Sequence, residues 1–456
     1  MTKSSKEAGK EEGAPDTSAP RRDEYPLDPR IDELVYPYMY ALGHYLKNPE
    51  ARHRVPGAAV VVRKDDQIIH LNCYGYANLE TEQKITPATL FDLGSVSKQF
   101  TAFAVLDLVY LKMISLDDPI SKFFTGFPRY ADAVKVKDLI HHTSALPDYI
   151  QLQVASREAD ENWYDDAMAK PDHWYPQMAS RKKIEVTNKD VLGWIASQKL
   201  LPHEPNSEFE YSNSGYVMLA ELVESVSQMR FADYLKERVF KQLGMENTFV
   251  FDETCAFAED APQVVNHARC YNRVKGHGFV PVGYTPLNFI YGDGNVHSTI
   301  VDLGLWDLQL HWLEKMSLGS TNKSDQKFAA KLRELLWEPV QVEKRKRVDY
   351  GAGWNLLRDS DEEEVEENGK KVTVRFESRA EYHHGDWLGW QSYIARGSRW
   401  IDCEPGGDIE LDTWESLGIV VLTNNKQFDT CGVAKSISQV YWGKLKKDNI
   451  MNRFDC

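Results

Sequence analysis

The sequence predicts a mixed α/β (α+β) fold, in which one antiparallel sheet is built from both chain ends and is flanked by helices. Apolar strand patterns occur near the start of the chain, at residues 58–62 and 68–71. Similar patterns occur near its end, at residues 393–396 and 418–423. The stretch between them carries mainly helical patterns. This layout indicates a sheet shared by the two ends, with a mostly helical region inserted between them.

The N-terminal segment predicts a disordered tail. It is rich in Lys, Glu, Ser, Pro and Gly and has almost no large apolar side chains. We expect order to begin near residue 31. The predicted parts are a tail at 1–30, a domain at 31–446 with sheet segments at about 31–92 and 345–446 and a helical insert at about 115–300, and a C-terminal tail at 447–456.

The individual elements follow from periodicity and capping residues. Asp117 or Asp118 can cap an element with Pro119 in its first turn, and Thr187 or Asn188 can cap another helix. The Asn368-Gly369 pair is typical of a type I′ hairpin turn. The predicted helices are 36–46, 101–113, a short one near 136–142, 188–198, 216–226, 231–243, 299–312 and 436–442.

Composition excludes several classes of function. The chain has 456 residues and a formal net charge of -15, which argues against nucleic-acid binding and gives no attraction to anionic membranes. The six cysteines are scattered and predict neither a zinc site nor a disulfide framework. No secretory signal or run of about 18 apolar residues is present. We therefore expect a soluble, cytoplasmic protein with free thiols in a reducing compartment.

The segment from Phe91 to Met113 predicts a buried helix that begins beside a serine and a lysine. Ser95 and Lys98 are three residues apart and so share one helix face, at an end where backbone N–H groups are free. A serine becomes nucleophilic when a base takes its proton. Lysine can be that base if burial and the helix dipole lower its pKa. The apolar run at residues 100–111 predicts this burial.

The Ser-x-x-Lys spacing alone is weak evidence. The chain contains three other examples, at residues 180–183, 320–323 and 324–327. None of these is followed by the apolar pattern of a buried helix. Ser95 is therefore the candidate nucleophile, but the assignment needs support from the rest of the chain.

Two further clusters provide groups that suit such a site. Tyr211 and Asn213 lie on a predicted loop before a helix. A phenol near an ammonium ionises more readily and can carry protons, and the asparagine amide can donate to and accept from an ester or amide. The third cluster contains His383, Gly385 and Asp386 before a strand. Gly385 would let a substrate lie against the strand, and an N–H beside it could bind an oxyanion.

Other features have less specific interpretations. Tyr76 and Asn78 repeat the Tyr-x-Asn spacing and are predicted to be a turn. His141 and His142 invite a metal-site interpretation, but neighbouring helix positions point apart, and we expect no metal or other cofactor. An aromatic-rich segment at 149–183 is either a surface loop that packs its own rings or a wall over a substrate pocket. Its rings are Tyr149, Trp163, Tyr164, Trp174 and Tyr175.

The three motifs, in the order Ser-x-x-Lys, Tyr-x-Asn and basic residue-x-Gly, resemble the penicillin-recognising serine hydrolases. That family includes class C β-lactamases, D-alanyl carboxypeptidases and the related esterases and D-aminopeptidases. The resemblance covers roughly residues 32–445 and implies a β-lactamase/transpeptidase-like fold. Flanking stretches that are also similar to family landmarks are 91–100, 138–149, 211–221, 243–248, 298–303 and 350–354.

The resemblance implies a role for each matching residue. Ser95 would be the acylated nucleophile, and Lys98 would be the base or the group that tunes it. Tyr211 would carry the proton for attack and for the leaving group. Asn213 would hold the acyl amide of the substrate. The backbone N–H groups of Ser95 and Asp386 would form the oxyanion hole.

Three positions depart from the family pattern. His383 stands where β-lactamases and carboxypeptidases have the lysine of Lys-Thr-Gly. An unperturbed histidine has a pKa of about 6.5 and is mostly neutral near pH 7, so the anchor for a substrate carboxylate is weakened. This substitution resembles the esterase and aminopeptidase branch. Ala145 and Asn206 replace family glycines, and the second change is mild because asparagine tolerates left-handed backbone.

The sequence therefore predicts a serine hydrolase that works through an acyl-enzyme on small esters or amides, with weak or no β-lactamase activity. D-residue peptides are among the candidate substrates, whereas the lack of a signal peptide argues against cell-wall precursors. The alternatives are an acyltransferase on the same scaffold and a non-catalytic, β-lactamase-like scaffold protein. The expected partner is a small ester or amide, with no nucleic acid and no membrane; an oligomer is compatible with the sequence.

Overall fold

The structure is a computed structural model. It describes residues 25–44, 46, 52–150, 186–252, 266–275, 277–282, 287, 289–342, 347–367, 370–402, 414–443 and 449–454.

A six-stranded antiparallel sheet joins the two ends of the chain. Its spatial order is β3-β4-β5-β6-β1-β2, so the N-terminal and C-terminal strands meet where β1 pairs with β6. The register there places Ala58 opposite Thr423 and Lys64 opposite Leu417. The predicted fold class is confirmed. The strands are β1 Ala58–Lys64, β2 Gln67–Tyr74, β3 Asn355–Glu367, β4 Lys370–Trp387, β5 Trp390–Asp402 and β6 Glu415–Thr423.

Helices occupy the middle of the chain and both of its ends. They are α1 Pro29–His44, α2 Lys98–Tyr110, α3 Val136–Ile140, α4 Asn188–Ser197, α5 Asn213–Ser227, α6 Phe231–Leu235, α7 Ile300–Leu318, α8 Lys323–Trp337 and α9 Thr430–Trp442. Short strands outside the main sheet are Tyr76–Asn78, Gln83–Lys84, Phe91–Asp92, Phe249–Val250, Tyr271–Val274, Gly278–Pro281, Val296–Ser298, Val340–Gln341 and Arg347–Val348.

The alternation of side chains along the strands divides the core between two faces of the sheet. Ala59 and Val61 of β1 pack into the larger cluster, which contains α2, α5 and α7. Val60 and Val62 point the other way, into a cluster with α1 and α9. Buried apolar residues therefore follow each other from Ala58 to Val62 of β1, because both of its faces are covered.

Several boundaries differ from the sequence prediction. Helix α1 begins at Pro29 rather than near residue 36, so the predicted tail boundary at residue 30 falls inside a helix. Helix α9 begins at Thr430, with Asp429 accepting the N–H of Gly432. Helix α8 was not predicted. The predicted helix 231–243 is split, because α6 is followed by a π-helical turn at Lys236–Phe240.

Other local predictions are confirmed. Thr187 caps α4 and accepts the N–H of Asp190. Strands β3 and β4 form a hairpin in which Glu367 pairs with Lys370, although the predicted turn at 368–369 lies outside the described residues. The two positions that replace family glycines both have left-handed backbone, with φ of 58° at Ala145 and 61° at Asn206. That conformation is costly for alanine and milder for asparagine.

The cysteines correct one expectation. Cys73 and Cys270 are free thiols, but Cys431 is disulfide-bonded, so the prediction that all thiols are free is wrong. Within the described ranges, no helix combines the length and apolarity needed to cross a bilayer.

Candidate active site

The candidate nucleophile lies on a short 3-10 turn, Gly94–Ser97, that runs directly into α2. Strand Phe91–Asp92 leads into this turn and pairs with strand Val296–Ser298. The Ser97 hydroxyl accepts the backbone N–H of Val296 at 3.0 Å, and Leu93 donates its N–H to the Val296 carbonyl at 3.0 Å. These bonds fix the turn against a neighbouring strand, so Ser95 is held on rigid backbone.

Lys98 is fully buried one turn after Ser95. Its Nζ lies 3.0 Å from the Ser95 hydroxyl, 2.8 Å from Oδ1 of Asn213 and 2.7 Å from the backbone carbonyl of Asp293. The structure therefore brings Ser95 and Lys98 together as the spacing predicted. It also adds two partners from distant parts of the chain.

The partners of Lys98 restrict where its protons lie. The Asn213 oxygen and the Asp293 carbonyl can only accept hydrogen bonds. A neutral amine has two N–H donors and one lone pair, so these two acceptors take both donors. The lone pair is then left for the Ser95 hydroxyl, which can donate as well as accept. A neutral amine in this position can receive the proton of Ser95.

Asp148 orients the Asn213 amide at the start of α5. One oxygen of Asp148 accepts both the backbone N–H of Asn213 at 3.0 Å and its side-chain Nδ2 at 2.8 Å. A carboxylate only accepts, so the amide nitrogen must face Asp148 and the oxygen must face Lys98. Asn213 therefore lies in the site as predicted, with its amide already engaged at both ends.

Tyr211 places its ring beside Lys98, with the ring centroid 5.0 Å from Nζ. The ring packs on His142, whose centroid is 4.2 Å away at an angle of 32°. His142 also accepts the backbone N–H of Ser212 through Nδ1 at 3.1 Å. Among the described residues, the Tyr211 hydroxyl has no hydrogen-bond partner, and about a third of the side chain is exposed. The hydroxyl is therefore open to an incoming ligand.

His383 is buried on β4, and both of its ring nitrogens are engaged. Nδ1 lies 2.8 Å from the backbone carbonyl of His384, an acceptor, so Nδ1 carries the proton. Nε2 then accepts from the Tyr350 hydroxyl at 3.0 Å. Burial, with the nearby charge of Lys98, lowers the pKa of His383 to about 3. The ring is neutral at pH 7, as expected, and has no free N–H for a substrate carboxylate.

The reason for glycine at position 385 differs from the prediction. A Cβ at Gly385 would lie 2.0 Å from the backbone oxygen of Leu93 and 2.4 Å from the hydroxyl of Ser392. Ser392 donates to that same Leu93 oxygen at 2.6 Å. The glycine thus allows the nucleophile turn to pack on β4, rather than making room for a substrate. Asp386 follows it, with its backbone nitrogen close to Gly94.

An open cleft lies over Ser95, Asn213 and Asp386. None of its described lining residues is Lys or Arg. Burial raises the pKa of Asp293 to about 6, against the attraction of Lys98, and the Tyr149 hydroxyl donates to its Oδ2 at 3.0 Å. The lining residues are Gly94, Ser95, Tyr149, Ile150, Asn213, Leu287, Ile290, Asp293, Gly294, Asn295, Asp386 and Trp387.

The sequence did not single out three groups that complete the site: Asp148, Asp293 and Tyr350. Asp148 precedes the aromatic-rich segment, and a capping function for a helix 65 residues away cannot be inferred from local spacing. Asp293 acts through its backbone carbonyl, which any residue possesses. Of the aromatic-rich segment, Tyr149 lines the cleft; Trp163, Tyr164, Trp174 and Tyr175 lie outside the described residues.

The adjacent histidines serve different neighbours. His141 lies 3.1 Å from the Tyr350 carbonyl through Nδ1, whereas His142 supports the loop that carries Tyr211. No group of three or more His, Cys, Asp or Glu residues in the described part of the chain is arranged to hold a metal ion.

Comparison with known proteins places these features in one family. The family model described as Beta-lactamase matches residues 34–439. Penicillin-binding protein 4* of Bacillus subtilis is 27% identical over 355 residues, covering 76% of this chain and 66% of that protein. A D-aminopeptidase of Brucella anthropi is 26% identical over 271 residues, covering 59% of this chain and 45% of the relative. The chain thus spans about half to two thirds of these relatives.

Solved structures share the fold at low sequence identity. The octameric penicillin-binding protein homologue from Pyrococcus abyssi superposes with a TM-score of 0.61 at 22% identity, covering 92% of this chain and 79% of that one. The D-amino acid amidase from Ochrobactrum anthropi SV3 gives a TM-score of 0.55 at 19% identity, covering 89% and 96% of the two chains. The family match extends over most of the sequence, and the chain belongs to the Beta-lactamase family.

Proposed function

We propose that this protein is a serine hydrolase in which Ser95 is acylated by a small ester or amide and water then releases the acid. The observation that carries the proposal is the Lys98 amine, 3.0 Å from the Ser95 hydroxyl and held by two obligate acceptors. A base already in contact with a candidate nucleophile is the arrangement that acyl transfer requires. The cleft over Ser95 gives a substrate access to it.

Each remaining group has a role in the proposed reaction. Lys98 takes the Ser95 proton as the hydroxyl attacks the acyl carbon. The Tyr211 hydroxyl, which has no hydrogen-bond partner among the described residues, delivers a proton to the leaving group and later activates the hydrolytic water. The backbone N–H groups of Ser95 and Asp386, two residues that line the cleft, would stabilise the tetrahedral oxyanion. Asn213 orients Lys98 and contacts the substrate amide.

The charges around the cleft favour acyl groups that are neutral or carry a free amine. Asp293 and Asp386 line it, and the cation nearest to Asp386, Lys426, is already 3.7 Å from that carboxylate. His383 offers neither charge nor a free N–H. Relatives named D-aminopeptidase and D-amino acid amidase act on amides by their names, which supports amides of D-residues as substrates.

Covalent labelling tests the proposed nucleophile. Incubation with a fluorophosphonate probe should add one adduct to the intact mass, and peptide mapping should place it on Ser95. Ser95→Ala should lose the label. Its kcat for a p-nitrophenyl ester should fall by roughly 10³-fold or more, as expected when a catalytic nucleophile is removed. Ser144→Ala is a matched control that should still label. Failure of wild type to react with any probe would favour the non-catalytic scaffold.

Substrate charge provides a second prediction. We expect kcat/KM for a p-nitrophenyl ester to exceed that for nitrocefin, an anionic β-lactam, by roughly tenfold or more, because one absent charged hydrogen bond is worth about 1.5–3 kcal/mol. Both reactions are followed by absorbance on the same enzyme preparation. Efficient nitrocefin hydrolysis would contradict the inferred role of neutral His383. Product analysis with an added alcohol distinguishes hydrolysis from acyl transfer.

We also propose an assembly state and a cellular location for this protein. The octameric state named for the Pyrococcus abyssi homologue makes an oligomer of this chain a reasonable proposal, which light scattering would test. A cytoplasmic location is likewise a proposal. Fractionation of cells that express the full chain would examine it.

A further inference from the structure

Three titratable groups, two buried and one half-buried, lie beside the strand that leads into the nucleophile turn. Asp92 ends the strand that leads into the turn, and His297 is its partner in the neighbouring strand. His267 lies next to His297, with their ring centroids 4.7 Å apart. Asp92 is 3% exposed and His297 is 4% exposed. The proposed acyl transfer uses none of these side chains.

The partners of the two histidines fix their tautomers. Nδ1 of His267 lies 3.2 Å from the backbone carbonyl of Ala268, so it carries a proton and leaves Nε2 as an acceptor. Nε2 of His267 lies 2.5 Å from Nδ1 of His297, which must therefore donate. In the neutral ring, Nε2 of His297 is then a lone pair. That atom lies 3.7 Å from Oδ2 of Asp92.

The two atoms are too far apart for a hydrogen bond, but a lone pair that faces a carboxylate oxygen is repelled by its negative charge. The other oxygen of Asp92 already accepts the backbone N–H of Gly94 at 2.8 Å, a bond that a protonated carboxyl can still accept. Nε2 of His297 has no hydrogen-bond partner within the described residues. A carboxylic acid on Asp92 keeps the bond from Gly94 and presents no negative charge to the lone pair of His297.

We propose that Asp92 is a positioning residue that acts in its neutral, protonated form. It accepts the Gly94 N–H and so fixes the backbone that presents Ser95. Gly94 itself has a left-handed backbone, with φ of 48°. In the neutral form it does this without placing a negative charge behind the N–H groups that receive the oxyanion. Ionisation of Asp92 therefore weakens the stabilisation of the transition state.

The surroundings of Asp92 favour its neutral form. Burial raises the pKa of Asp92 to about 7, and the charge of Asp293 acts in the same direction. Burial also lowers the pKa of His267 to about 4 and holds the pKa of His297 well below its usual value. Cys270 also interacts with Asp92; burial raises the pKa of its thiol, and the charge of Asp92 acts in the same direction. No cation in this cluster is therefore present to stabilise an Asp92 carboxylate at neutral pH.

This inference rests on acyl transfer at Ser95 and predicts a specific pH dependence. As pH rises through about 7, Asp92 loses its proton. The rate of Ser95 acylation should then fall by roughly tenfold, as expected for a charge added near a developing like charge in a partly buried site. The decline should be absent when the group at position 92 cannot ionise.

Asp92→Asn is the decisive variant, because asparagine copies the protonated carboxyl: its oxygen accepts from Gly94, and the side chain carries no charge at any pH. We expect kcat/KM for a p-nitrophenyl ester to match wild type within about twofold at pH 6. At pH 8.5 the variant should be about tenfold faster than wild type. Asp92→Ala, which loses the bond from Gly94, should be slower at every pH. Asp302→Asn, a buried carboxyl-to-amide change elsewhere, should keep the wild-type profile.

The outcomes separate this inference from the proposed function. If wild type is acylated at Ser95 and Asp92→Asn shows the same alkaline decline, the role of Asp92 is wrong and the acyl-enzyme stands. If wild type is never acylated, the proposed function itself fails. A flat wild-type profile between pH 6 and 8.5 would also overturn the inference.

Thermal unfolding gives a readout that does not depend on activity. The pKa of Asp92 is higher in the folded protein, about 7, than its ordinary value of 3.8, so the folded state binds the extra proton between these values. Stability from this group is therefore lost as pH rises from about 4 to above 7. The Tm of Asp92→Asn should therefore rise relative to the Tm of wild type as pH increases over that range. An unchanged Tm difference would contradict a protonated Asp92.

Discussion

Replacing Lys98 with methionine is expected to lower kcat/KM for a p-nitrophenyl ester by roughly 10²- to 10⁴-fold, the range of general-base contributions. Methionine fills a similar buried volume and cannot accept the Ser95 proton. The Asn213 oxygen and the Asp293 carbonyl would lose a donor, at a stability cost of about 1–3 kcal/mol for each buried group left unsatisfied. The measurements are steady-state kinetics, denaturant unfolding and the intact mass after probe labelling.

Lys98→Arg separates a base from a fixed positive charge. The guanidinium keeps a charge and several donors near Asn213, but it is not deprotonated in proteins and cannot accept a proton. We therefore expect the arginine variant to be about as slow as the methionine variant. Lys426→Met, which removes a cation 3.7 Å from Asp386, is the matched control and should retain near wild-type activity. An active arginine variant would show that Lys98 acts by charge alone.

Strand patterns were informative because the sheet is covered on both faces. The run at residues 58–62 is apolar throughout, and in β1 each of these side chains enters one of two cores. The long hairpin of β3 and β4 was recognised only from its turn, because acidic residues dominate its outer part. Its extent depends on cross-strand pairing, which local composition does not encode.

Helix α8 was not predicted because little of it is buried. Most of its surface is polar, and its buried residues are confined to Ala329, Leu336 and Trp337. The available signals were Asn322, which caps the helix through the N–H of Ser324, and Asp325 in its first turn. The predicted start of helix α1 was too late because Pro29 was assigned to the tail. Proline is favourable in a first helical turn, where its missing N–H costs nothing.

The chemistry-bearing side chains of the site were predictable, and their supports were not. Ser95, Lys98 and Tyr211 have reactive groups and recognisable spacing. Asp293, in contrast, contacts Lys98 through a backbone oxygen, which leaves no trace in residue type. Tyr350 occupies Nε2 of His383 across 33 residues of chain. Such contacts depend on tertiary structure and follow from coordinates alone.

Gly385→Ala should destabilise the protein and disable the nucleophile together. The added Cβ would lie 2.0 Å from the Leu93 backbone oxygen and would break into the Ser392–Leu93 hydrogen bond. Backbone on both sides must shift, and overpacking of this kind costs about 1–3 kcal/mol. Leu93 is two residues before Ser95. A displacement of about 1 Å there is expected to slow acylation by roughly 10²-fold.

Gly294→Ala is the matched control on the opposite wall of the cleft. Its added Cβ would meet nothing closer than the Gly94 oxygen at 3.9 Å, an ordinary contact. Its free energy of unfolding should therefore stay within about 0.5 kcal/mol of wild type. Denaturant unfolding and the rate of Ser95 labelling, measured on both variants, decide the matter. If Gly385→Ala were stable and normally labelled, β4 would not hold the nucleophile turn, and glycine at 385 would instead serve the approach of a substrate.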